Sequence, residues 1–96
     1  MTPLDKTYER DVLKAARVTN YLSKFLYRFG LYDKELSMLE TSKVILEHAA
    51  LRKTKEYAAH LNNVAALHEA GGKYDEALAY WNDSLKIQRE LGDRAG

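Results

Sequence analysis

Apolar residues in the first third of the chain recur three and four positions apart: Val12, Ala15, Ala16, Leu22, Phe25, Leu26 and Phe29. That spacing draws a stripe along one side of a helix. The same rhythm returns in three further stretches: Leu36, Leu39, Val44, Ile45 and Leu46; Tyr57, Leu61, Val64 and Leu67; and Ala77, Leu78, Trp81, Leu85 and Leu91. No segment sustains the alternation of period two that a strand requires, so the pattern predicts four helices and no sheet. Thr2, Pro3 and Asp5 suit a helix start. Gly30 and the Gly71-Gly72 pair predict chain reversals, Asp33 and Asp75 are read as caps of the helices that follow, and Gly92-Asp93 as the end of the fourth. The join between the second and third helices is faintly marked, because HAALRKTKEY holds neither Gly nor Pro. A turn is placed near residues 50–54, with Thr54 a weak capping candidate.

The two clear reversals share a text. FGLYDKEL at residues 29–36 and GGKYDEAL at 71–78 carry Gly, Tyr, Asp and Leu in the same relative places, 42 residues apart (30 to 72). Two antiparallel helices joined by a short turn need a residue free to reverse the backbone, which Gly supplies. The Tyr ring is expected to fold into the crevice between the helices, and the Asp to satisfy open amides at the next helix start. Ala77 is small enough for two backbones to approach. In the first unit Glu35 stands at that place, so its carboxylate is expected to reach the edge, pair with Lys24 or Arg28, or force a wider crossing.

These residues resemble the tetratricopeptide repeat, a helix-turn-helix unit with a usual period of about 34 residues. Leu61, Val64, Ala65, Gly72, Tyr74, Ala77, Trp81, Ser84 and Leu85 follow that family's order of large, small, turn and aromatic positions. The stretch LNNVAALHEAGGKYDEALAYWNDSLKIQRELGD is similar to the longer variety found in kinesin light chains and bacterial signalling proteins, with which the offset of 42 agrees. The first unit repeats Asn20, Gly30, Tyr32, Asp33, Leu36, Ser42 and Ile45 in register but departs at Glu35 and at Lys43, opposite Leu85. The resemblance implies an all-α fold, an α-α superhelix or solenoid of two helix-turn-helix repeats with four main helices. One domain spans residues 1–96, with repeats at about 10–49 and 52–91 and a tail at 92–96.

The resemblance also implies a concave groove formed by the first helices of each unit. Its positions fall on Arg17, Asn20, Lys24, Tyr27 and Arg28 in the first unit and on Ala59, Asn62, Ala66 and Glu69 in the second. The implied function is a scaffold that binds a peptide or helical segment of a partner protein, with no catalysis. The lysine–asparagine clamp of chaperone-binding members is not reproduced, since Asn20 stands where its first lysine would be. The alternative is structural self-assembly, either as part of a longer array or as a homo-oligomer. Two units leave Leu78, Trp81, Leu85 and Leu91 of the last helix short of cover, so the C-terminal helix is the expected contact.

Charge refines the groove. Arg17, Lys24 and Arg28 are spaced by seven and four residues and so share a helix face, suited to an acidic segment or a terminal carboxylate. Asn20 and Asn62 occupy equivalent places, and an amide grips peptide backbone with both donor and acceptor. Asn63 is expected to bond within or between helices instead. The whole chain has 96 residues and a net charge of +1, so nothing draws it globally to nucleic acid or a membrane, although residues 6–28 hold six Lys/Arg against two Asp/Glu. No apolar run approaches the roughly 18 residues of a membrane span. The absence of cysteine fits a reducing compartment, and the cytoplasm is the expected location. His60 and His68 lie about 12 Å apart along one helix, too far to share a metal. No phosphate loop or nucleophile motif is present, so neither cofactor nor enzymatic activity is expected.

Overall fold

A computed structural model describes residues 6–48 and 50–95. They form four helices, α1 (Lys6–Arg28), α2 (Tyr32–His48), α3 (Lys55–Ala70) and α4 (Tyr74–Ala95), with no strand among the described residues. The fold is all-α, as the periodicity predicts. α1 with α2 and α3 with α4 make two helical hairpins. α3 joins them, because it packs on α1 and α2 as well as on its own partner, whereas α4 meets α3 alone.

The three reversals end their helices in one way. At the first, Gly30 takes φ +73°, its N–H bonds the Tyr27 carbonyl at 3.0 Å, and the Leu31 N–H reaches back to Leu26 at 2.9 Å. Gly72 repeats this at φ +78°, with bonds to Glu69 at 3.0 Å and from Lys73 to His68 at 2.9 Å. These pairs satisfy carbonyls that a helix end leaves open. The third reversal has the same two bonds, Ala50 to Glu47 at 3.1 Å and Leu51 to Leu46 at 2.9 Å, but its left-handed residue is Ala50, at φ 58°. Thr54 then opens α3. Its Oγ1 accepts from the Tyr57 N–H at 3.1 Å and donates to the Leu51 carbonyl at 2.9 Å.

Some expected boundaries move. Asp33 and Asp75 lie one residue inside their helices, in the first turns of α2 and α4, where they complement the helix dipole instead of capping. Gly92 sits within α4, which runs on to Ala95; a single Gly costs a helix about 1 kcal/mol and does not end it. The start expected at Thr2, Pro3 and Asp5 lies outside the described residues. Tyr32 and Tyr74 do not fill the crevices: both are exposed, Tyr32 with its ring 5.7 Å from that of Tyr27.

A core of Val12, Ala16, Leu46 and Leu51, with Leu13 and Tyr57 packed against it, ties α1, α2 and α3 together. In the second hairpin Ala65 and Ala77 are fully buried, at the places reserved for small residues. Forty-two positions earlier stand Ser23 and Glu35, buried just as deeply. Glu35 is 1% exposed and its Oε1 has no hydrogen-bond partner among the described residues. It neither reaches the edge nor pairs with Lys24 or Arg28. Burial raises its pKa to about 7, because desolvation disfavours the charged carboxylate.

Candidate functional site

The first helices of the two hairpins, α1 and α3, lie side by side and hold an open cavity of about 240 Å3 between them. Arg17, Asn20, Tyr21 and Lys24 line it from α1, and Lys55, Glu56 and Ala59 from α3. The α1 residues are there because a helix returns to one side every third or fourth position. Three basic side chains surround this space against one acid.

That acid is already engaged. Glu56 is buried, and its Oε2 lies 3.7 Å from Nε of the half-exposed Arg17. Arg17 therefore spans the cavity wall with part of its charge committed, while Lys24 and Lys55 are exposed and make no ion pair among the described residues.

The cavity wall is fixed by a buried amide pair. Asn20 is only 6% exposed; its Nδ2 donates to the Glu56 carbonyl at 3.1 Å. Asn63 Nδ2 in turn donates to the Asn20 carbonyl at 3.4 Å and to its Oδ1 at 3.3 Å. Asn20 thus spends its polar groups on holding α1 against α3, and Asn63 bonds between helices as expected. Asn62, its neighbour, is half-buried.

Of the residues expected in the groove, the cavity gathers Arg17, Asn20, Lys24 and Ala59. Tyr27, Arg28, Asn62, Ala66 and Glu69 do not line it. Tyr27 is half-buried beside Tyr32, Arg28 is the exposed last residue of α1, Ala66 is half-buried and Glu69 is exposed. Tyr21, Lys55 and Glu56 are the lining residues that the spacing argument missed. Lys55 and Glu56 sit in the first turn of α3, whose start no Gly or Pro announces.

A larger recess of about 560 Å3 opens on another side, between α2 and α4 with α3 as its floor. Tyr57 donates its hydroxyl to Glu47 Oε2 at 3.3 Å, and burial together with that carboxylate raises the phenol pKa. His60 is 1% exposed and its Nδ1 has no partner among the described residues. Burial, helped by the charge of Lys43, lowers its pKa to about 4 and keeps the ring neutral. His68 stacks on Tyr80 with centroids 5.2 Å apart. Arg52 pairs with Glu47 at 3.6 Å and Lys53 with Glu90 at 3.8 Å. Bases and acids balance around this recess, so it favours neither sign of ligand.

No helix among the described residues is long and apolar enough to cross a membrane. No family model matches the chain, and comparison with curated proteins and with solved structures returns no significant match.

Proposed function

We propose that this chain is a protein-binding scaffold of tetratricopeptide type, which takes an acidic peptide segment along the α1–α3 groove without catalysis. The observation that carries this reading is the convergence of Arg17, Lys24 and Lys55 on one cavity. Two of the three cations make no ion pair among the described residues, and a carboxylate-bearing segment supplies charge-assisted hydrogen bonds to them. The wall behind them is held by the Asn20–Asn63 pair, so binding needs little rearrangement. We place the protein in the cytoplasm, on its cysteine-free composition.

Fluorescence anisotropy with a labelled, acidic peptide ending in a free carboxylate tests the proposal. Binding is expected to weaken as salt rises and to fall at least tenfold in Lys24→Glu/Lys55→Glu. Equal binding of a peptide with its acids replaced by lysine, or an unchanged affinity in the double variant, rejects the groove.

A further inference from the structure

A run of exposed apolar residues lies along one side of the first hairpin. On α1, Val18 and Phe25 are each 57% exposed and Leu22 is exposed between them, with exposed Phe29 just past the helix end, at spacings of four, three and four. This stripe lies one residue round from the groove-lining Arg17, Tyr21 and Lys24, which is a turn of about 100° on the helix. It is a different face, and the groove reading makes no use of it. Lone exposed apolar residues are ordinary, but a contiguous stripe of them marks a contact.

The internal repeat identifies what that contact resembles. Forty-two positions on, Val18, Leu22 and Phe25 become His60, Val64 and Leu67 of α3. His60 and Val64 lie beside α2 residues around the recess, and α3 packs directly on α2. α1 thus presents, uncovered, the seat that α3 presents to α2. The matching helix face is also present in the chain. Leu36, Leu39 and Lys43 of α2 become Leu78, Trp81 and Leu85 of α4, a face more apolar than its counterpart. Leu78 and Leu85 are exposed and Trp81 is half-buried. Charge agrees with this pairing: α1 carries six basic residues and two acidic ones, α4 three basic and five acidic.

We infer that the chain associates head to tail with a second copy of itself, the Leu78–Trp81–Leu85 face of α4 in one copy seating on the Val18–Leu22–Phe25 stripe of α1 in the next. The contact repeats the α2–α3 seat between molecules. It joins two different surfaces, so each open assembly keeps one free donor face at one end and one free acceptor face at the other, and growth does not stop at two.

Sedimentation velocity over a dilution series of the full chain tests this. The weight-average mass is expected to pass that of a dimer as concentration rises. Phe25→Glu and Leu85→Glu each remove one of the two surfaces. Each variant alone is expected to remain monomeric with unchanged helical circular dichroism, both positions being exposed. An equimolar mixture of the two retains one intact pairing and is expected to give heterodimers and nothing larger. A wild-type chain that stays monomeric to hundreds of micromolar overturns the inference and leaves the stripe to a different partner or segment. So does a Leu85→Glu chain that still self-associates, which would mean α1 stripes meeting face to face. Failure of the mixture to form heterodimers overturns it as well. None of these outcomes depends on peptide binding in the groove.

Discussion

The side-chain amide of Asn63 reaches both oxygens of Asn20, its backbone carbonyl at 3.4 Å and its Oδ1 at 3.3 Å. Asn20 passes the bonding on to the Glu56 carbonyl. One buried pair therefore sets the position of α1 along α3 and with it the spacing of the groove cations. Replacing Asn20 with Leu removes the side-chain donor to the Glu56 carbonyl and the Oδ1 acceptor of the Asn63 amide, which keeps only its longer bond to the backbone carbonyl, a cost of about 1–3 kcal/mol. Chemical denaturation of Asn20→Ala, Asn63→Ala and the double variant is expected to give a coupling energy of about 1 kcal/mol. Additive effects would show that the pair does not act as a unit.

Glu35 and His60 titrate against each other. Glu35 has a folded pKa of about 7 against an ordinary 4.5, so the folded state holds its proton more tightly than the unfolded chain does. Its contribution is most favourable below pH 4.5 and is lost as pH rises towards 7. His60 has a folded pKa of about 4 against an ordinary 6.5, so it works in the opposite sense. Its contribution is present above pH 6.5 and is lost as pH falls towards 4. Between about pH 4.5 and 6.5 the two slopes oppose, and these residues together leave stability nearly flat. Glu35→Gln removes one slope, and stability is then expected to increase with pH across 4 to 6.5. His60→Gln removes the other, and stability is expected to decrease across 4.5 to 7. Urea midpoints measured every half pH unit check both signs; parallel profiles in the two variants would contradict them.

Ala50 does the work of a glycine. Its two flanking hydrogen bonds copy those at Gly30 and Gly72, yet it bears a side chain at φ 58°. The left-handed region costs an ordinary residue about 1–2 kcal/mol, partly offset by the extra freedom glycine has when unfolded. Ala50→Gly is expected to stabilise the protein by about 0.5–1 kcal/mol, and Gly72→Ala to destabilise it by about 1 kcal/mol. At Gly72 a methyl group would meet nothing within 4 Å, so that loss comes from the backbone alone. Thermal midpoints of the two variants should move in opposite directions by a few degrees.

That substitution also shows where the sequence was legible. Gly30 and Gly72 announce their turns because left-handed backbone selects glycine. The α2–α3 reversal uses the same geometry with alanine, so HAALRKTKEY marks it only faintly, through the capping Thr54. The continuation of α4 through Gly92 is the converse, a glycine paying a small helix penalty without turning the chain. At the groove, spacing placed Arg17 and Lys24 together correctly, since helix periodicity is rigid. It gave Asn63 to a bond between helices, as found, but set Asn62, about 100° away on α3, in the groove, where it does not line the cavity, because the lining face depends on where α1 packs. Lys55 and Glu56 escaped because a faintly marked helix start does not say which side chains of its first turn face α1.

The two hairpins differ in how they satisfy one repeated hydroxyl. Ser84 is fully buried, donates to the Ala58 carbonyl at 2.9 Å and accepts from Gln88 Nε2 at 3.0 Å. Ser42, its counterpart 42 positions earlier, is also buried, but its Oγ has no partner among the described residues. A satisfied buried hydroxyl stabilises by about 1 kcal/mol, whereas an unsatisfied one carries its desolvation cost with no return. Ser84→Ala is therefore expected to cost about 1 kcal/mol, with the Ala58 carbonyl losing its side-chain donor. Ser42→Ala is expected to be neutral or stabilising. Ser23, whose Oγ is likewise buried without a partner, should follow Ser42, and alanine is already the residue at its counterpart, Ala65. Equilibrium unfolding of the three single variants decides the matter. Equal losses at Ser42 and Ser84 would show that the first hairpin satisfies its hydroxyl as well as the second does.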